Sequence, residues 1–149
     1  DAPFSIVPNG IPGLAARLPV LYSEGVAKGR IPLEMFVDLV STKPAKMFGL
    51  FPKKGTIAVG SDADLVLWDP ARKTILTTAA MHHGSDYTPY EGMEITGAPL
   101  MTWVRGRCVY AAGKPIDETG GGVHLVRPRH PGIGTDERVW LRQADETDV

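Results

Sequence analysis

The chain has 149 residues, enough for one ordinary domain with a buried core. It is 43% hydrophobic and 22% charged, and its net charge of −1 removes any electrostatic case for nucleic acid or an anionic membrane as a partner. No apolar run approaches the roughly 20 residues that span a bilayer. The first residues, Asp1-Ala2-Pro3-Phe4, lack the basic and apolar stretches of a secretory signal. One cysteine, Cys108, cannot make an internal disulfide, which suits a reducing cytoplasm.

In chain order, Asp1 to Pro12 reads as an extended loop, with turn signals at Pro8-Asn9-Gly10 and Pro12-Gly13. Helical patterning follows. Pro19 suits a first helical turn, where its missing N–H is not needed. Leu18, Leu21, Tyr22 and Val26 fall at helical spacing and Gly29 stops the run. Pro32 suits a second first turn, and Leu33, Phe36, Val37 and Val40 make an amphipathic stripe. Thr42 as N-cap and Pro44 at the first helical position predict a third short helix, closed by Gly49.

Near Phe51 the period changes to that of strands. Thr56 to Val59 is short and β-prone. Asp64 to Trp68 reads as a compact strand ended by Asp69-Pro70, and Lys73 to Thr77 as another. Thr102-Trp103-Val104, a turn at Arg105-Gly106, and Cys108-Val109-Tyr110 predict a β-hairpin ending at Gly113. Val123 to Val126 adds a candidate short strand. The tail from Pro131 to Val149 is polar, its one apolar cluster being Val139, Trp140 and Leu141, and is expected to be mobile or to rest on a partner. Helices followed by strands argue against alternating β/α units. The helical half has little of its own to pack against and reads as a piece of something larger.

Most chemistry-bearing side chains have plain structural readings. His82 and His83 are adjacent, and neighbours on a strand face opposite ways, so they are expected on a surface loop and not as joint metal ligands. His124 and His130 flank a small basic cluster, Arg127 and Arg129, which reads as a strand end or subunit contact. Cys108 has no nearby base and reads as a strand cysteine. Ser61, Asp62 and Asp64 read as a turn entering a strand. Lys43, Lys46, Lys53 and Lys54 read as decoration of a helix end, where cations offset the macrodipole. Trp68, Trp103 and Tyr110 fit a sheet core.

The run Gly60-Ser61-Asp62-Ala63-Asp64-Leu65-Val66-Leu67-Trp68-Asp69-Pro70, with Lys54 to Val59 before it and Thr42 to Leu50 before that, resembles a segment near the C-terminus of the amidohydrolase superfamily. Phe4 to Gly13 resembles the substrate loop of hydantoinases and dihydropyrimidinases, and Leu18 to Val26 the helix after it. Ser85 to Gly92 and Gly97 to Gly106 resemble their sandwich segment and hairpin. The resemblance covers roughly Phe4 to Arg129.

It implies an α/β parent, a metal-dependent (β/α)8 barrel with a small β-sandwich and its site at the C-terminal ends of the barrel strands. On this reading residues 1–50 are the end of the barrel, 51–130 part of the sandwich, and 131–149 a tail that is mobile or contacts a neighbouring subunit. The family's two zinc ions are held by a His-x-His pair, a bridging carboxylated lysine, two further histidines and an aspartate. All lie upstream of the Pro-Asn-Gly loop, so none is expected in this chain. A metal-activated hydroxide opens the ring amide, and the aspartate passes the proton to the leaving nitrogen.

Asp1 echoes the surroundings of that aspartate but sits too close to the loop, so it is a weak candidate metal ligand and reads first as a loop residue. Asn9 matches the asparagine that contacts the substrate ring, largely through its backbone; alone, Asn9-Gly10 is also an ordinary turn pair. The resemblance thus implies a small cyclic ureide or imide as substrate, a homodimer or homotetramer as assembly, and a chain inactive by itself. Two alternatives stay open: a non-enzymatic dihydropyrimidinase-like scaffold, and a free-standing β-module that mediates assembly.

Overall fold

A computed structural model describes residues 10–116 and 121–126. Asp1, Asn9, Arg127, Arg129, His130 and the tail cluster Val139-Trp140-Leu141 lie outside the described residues. Two helical runs precede a four-stranded antiparallel sheet of order β1-β2-β3-β4.

The first run starts at α1 (Leu14–Leu21) and passes into a π-helical turn, Tyr22–Ala27. It begins a full turn earlier than predicted, so Pro19 lies inside α1 and not in its first turn. A proline there cannot donate to the carbonyl four residues back and crowds it. The widened turn that follows is one way a helix absorbs such a break. Gly29, at φ 67, takes the left-handed conformation that ends the run.

The predicted second and third helices are one continuous run: α2 (Leu33–Val37), a π-helical turn at Asp38–Thr42, and α3 (Lys43–Met47). Thr42 therefore is not an N-cap. Its backbone is helical at φ −68, ψ −49, and its Oγ1 donates to the Gly55 carbonyl at 2.8 Å. Gly49, at φ 66, closes the run as predicted, and the Leu50 N–H returns to the Ala45 carbonyl at 2.8 Å.

Strand β1 (Leu65–Ile75) joins the two segments predicted as separate. Asp69-Pro70 does not end it. Asp69 pairs with Ala98 and Lys73 with Thr96, so Pro70, Ala71 and Arg72 bulge opposite the single residue Gly97. Pro70 needs no partner for an N–H it lacks, and the Asp69 carboxylate accepts the Ala71 N–H at 2.9 Å. Because β1 is an edge strand, the irregularity interrupts one ladder only. Strand β2 (Glu94–Val104) is longer than predicted, and Arg105 and Gly106, both at positive φ, turn it into β3 (Arg107–Ala111). A two-residue β4 (Lys114–Pro115) follows Gly113.

Two predicted strands are absent among the described residues. Thr56–Val59 has no pairing partner; Ile57 and Val59 are exposed, and the Ser61 N–H closes a turn on Ala58. Val123–Val126 joins no ladder.

The helices are covered only in part: of the stripe Leu33, Phe36, Val37 and Val40, only Phe36 is buried. Phe36 is 7% exposed, and its ring meets Tyr22 edge-on, with centroids 5.6 Å apart. Trp68 of β1 completes the cluster at 5.1 Å from Tyr22 and 6.2 Å from Phe36. The Ser23 hydroxyl, buried in the π turn, accepts the Thr96 N–H of β2 at 3.0 Å. A second small core joins Ala16 of α1 to Leu76 and Ile95, with Val20, Met81, Tyr90 and Met93 packed against it.

Candidate functional site

Asn9 and Asp1, the two site residues suggested by sequence, fall outside the described residues, but the chain from Gly10 onward does not. Gly10 and Ile11 are exposed and lead to Gly13, whose carbonyl accepts the Arg17 N–H at 2.9 Å as α1 begins. The Tyr87 hydroxyl, 77 residues away in sequence, donates to the Gly10 carbonyl at 2.7 Å. Tyr87 belongs to the Ser85–Gly92 segment. That segment carried the family resemblance, but nothing in its spacing singled out the tyrosine.

The segment is firmly seated. Thr88 is buried, and its hydroxyl accepts the Tyr90 N–H at 3.3 Å. The Gly92 N–H donates to the Leu76 carbonyl at 2.9 Å. Glu91 accepts from both the hydroxyl and the N–H of Thr78, at 2.7 and 2.6 Å, and these hydrogen bonds lower its pKa.

A second polar cluster stands where the 50s loop meets the sheet. Lys54 pairs with Asp64 and lies 2.9 Å from Asp62 Oδ2, close enough for an ion pair though off the hydrogen-bond direction. Asp64 also accepts the Arg105 N–H at 2.8 Å. Burial acts to pull the Lys54 ammonium down, but the hydrogen bond to Asp64 and the negative charges of Asp64 and Asp62 outweigh it and its pKa is raised. Burial likewise acts to lift Asp64, but Lys54 and the Arg105 N–H hold it below its ordinary value.

This corrects the reading of Lys54 as helix-end decoration: it clamps the Ser61–Asp64 turn onto the sheet. Lys46 and Lys43 stay near their helix, Lys46 lying 5.3 Å from the Phe51 ring centroid and Lys43 3.5 Å from Asp38.

Beside this clamp runs an open groove of about 870 Å³, lined by Leu33, Phe36, Val37, Val40, Leu65 and Trp68 among others. Its walls are mainly apolar and bring together no nucleophile with a base. His82 is exposed, and His83 is half-buried with its Nδ1 accepting the Ser85 N–H at 3.1 Å. Cys108 is half-buried in β3, its Sγ 3.5 Å from the Tyr110 carbonyl, and Trp103 and Tyr110 are also half-buried. His124 is exposed.

Among the described residues no three His, Cys, Asp or Glu side chains come together to hold a metal ion. The described side chains therefore do not fit the dinuclear centre that the resemblance implies. No described helix is long and apolar enough to cross a membrane.

The family comparisons agree with the motifs. Residues 7–109 match the model of the amidohydrolase family. The D-hydantoinase of Geobacillus stearothermophilus is 46% identical over 136 residues, covering 91% of this chain and 29% of that protein. The dihydropyrimidinase of Rattus norvegicus is 43% identical over 128 residues, covering 86% of this chain and 24% of its own length. The solved D-hydantoinase (dihydropyrimidinase) from Thermus sp. superposes with a TM-score of 0.79 at 48% identity, over 83% of this chain and 27% of that one. This chain thus spans under a third of the length of each of these relatives. It belongs to the amidohydrolase family, in which it corresponds to one segment of a hydantoinase or dihydropyrimidinase.

Proposed function

We propose that this chain is the C-terminal part of a cyclic-amide hydrolase that adds water across a ring C–N bond. Hydantoins or dihydropyrimidines would open to N-carbamoyl amino acids. The observation that carries this reading is the match, in sequence and in backbone, to D-hydantoinases over more than four-fifths of the chain. Within the parent, residues 1–50 close a (β/α)8 barrel, 51–130 supply sandwich strands, and 131–149 reach a neighbouring subunit of a dimer or tetramer in the cytoplasm. The resemblance puts the ligands of the implied zinc pair upstream of the Pro-Asn-Gly loop, and the described side chains offer no group that would hold it.

The chain's own share of the chemistry is to present the loop at Asn9. A cyclic ureide offers both N–H donors and C=O acceptors, and an asparagine between Pro8 and Gly10 can present both kinds of group. The test is ring opening of hydantoin and dihydrouracil by the full-length protein that carries this chain, with Asn9→Pro beside it. Removing the Asn9 N–H should raise KM about 10-fold, the cost of one lost backbone hydrogen bond. Absence of ring opening by the full-length protein rejects the hydrolase reading in favour of a scaffold. An unchanged KM in Asn9→Pro rejects the role of the loop.

A further inference from the structure

We draw no further inference here: the strongest candidate, the apolar groove between the α2–α3 run and the outer edge of β1, is a face whose covering by other strands of the parent restates the family architecture already proposed, and nothing in the structure shows any other occupant.

Discussion

At the scale of single residues, Asp64 and Gly97 do the most. Asp64 joins three pieces of chain: its carboxylate takes the Lys54 ammonium from the 50s loop and the Arg105 N–H from the hairpin turn, and its own backbone leads into β1. Its pKa is lowered on folding, so it stabilises the fold above the ordinary carboxylate value, and that stability is lost as pH falls through the lower folded value. Lys54 has the opposite sign: its raised pKa contributes below the ordinary lysine value and is lost as pH rises through the folded one. Asp64→Asn should therefore cost about 1 kcal/mol at neutral pH, small because the site is partly exposed. It should also flatten the acid limb of stability below about pH 4. Urea unfolding at several pH values checks both.

Gly97, at φ 92, lies against the Tyr22 ring, and a Cβ there would overlap that ring and come 2.9 Å from Trp68 Nε1. Gly97→Ala should destabilise by about 3 kcal/mol, since left-handed strain and steric overlap combine. A small shift in thermal unfolding would show that the helix is not seated on the sheet at this point.

At the scale of elements, what decides the structure is how two helical runs sit on an edge-bulged sheet. Phe36 joins α2 to the Tyr22–Trp68 pair, so Phe36→Ala should cost about 3 kcal/mol by opening a cavity at that junction. Trp68 fluorescence should become more solvent-exposed in the same variant, and an unchanged spectrum would contradict the packing. Helix existence was legible in sequence because apolar spacing and terminal glycines are local signals; Gly29 and Gly49 both end their runs. The boundaries at Pro19 and Thr42 were not, because π-helical turns let a helix continue through residues that normally mark its start. Asp69-Pro70 misled for a similar reason. A proline normally ends a strand, but here the irregularity is absorbed by a bulge opposite Gly97, which only pairing across the sheet reveals. Thr56–Val59 has strand composition but no partner strand among the described residues, and composition cannot report a missing partner.

At the scale of the whole molecule, the apolar groove beside β1 is what the short chain leaves open. Leu33 and Val37 of the helices and Val66 of the edge strand line it and are about half exposed. Such a contiguous surface favours association. The isolated chain should therefore elute in gel filtration above its monomer size, increasingly so with concentration; a monomer at high concentration would mean these faces are covered within the chain.

The candidate site was legible only in outline. Motif resemblance pointed to Asn9, whereas the link from Tyr87 to Gly10 joins residues 77 apart and leaves no mark in local spacing. The central claim is a division of labour: this chain carries structure and the substrate loop, and the rest of the parent carries the metal and the hydrolysis. Its most direct test is ring opening of dihydrouracil with added zinc, measured for the 149-residue chain and for the full-length protein side by side. The account predicts metal-dependent turnover by the full-length protein and none above buffer by the chain; turnover by the chain alone would contradict it.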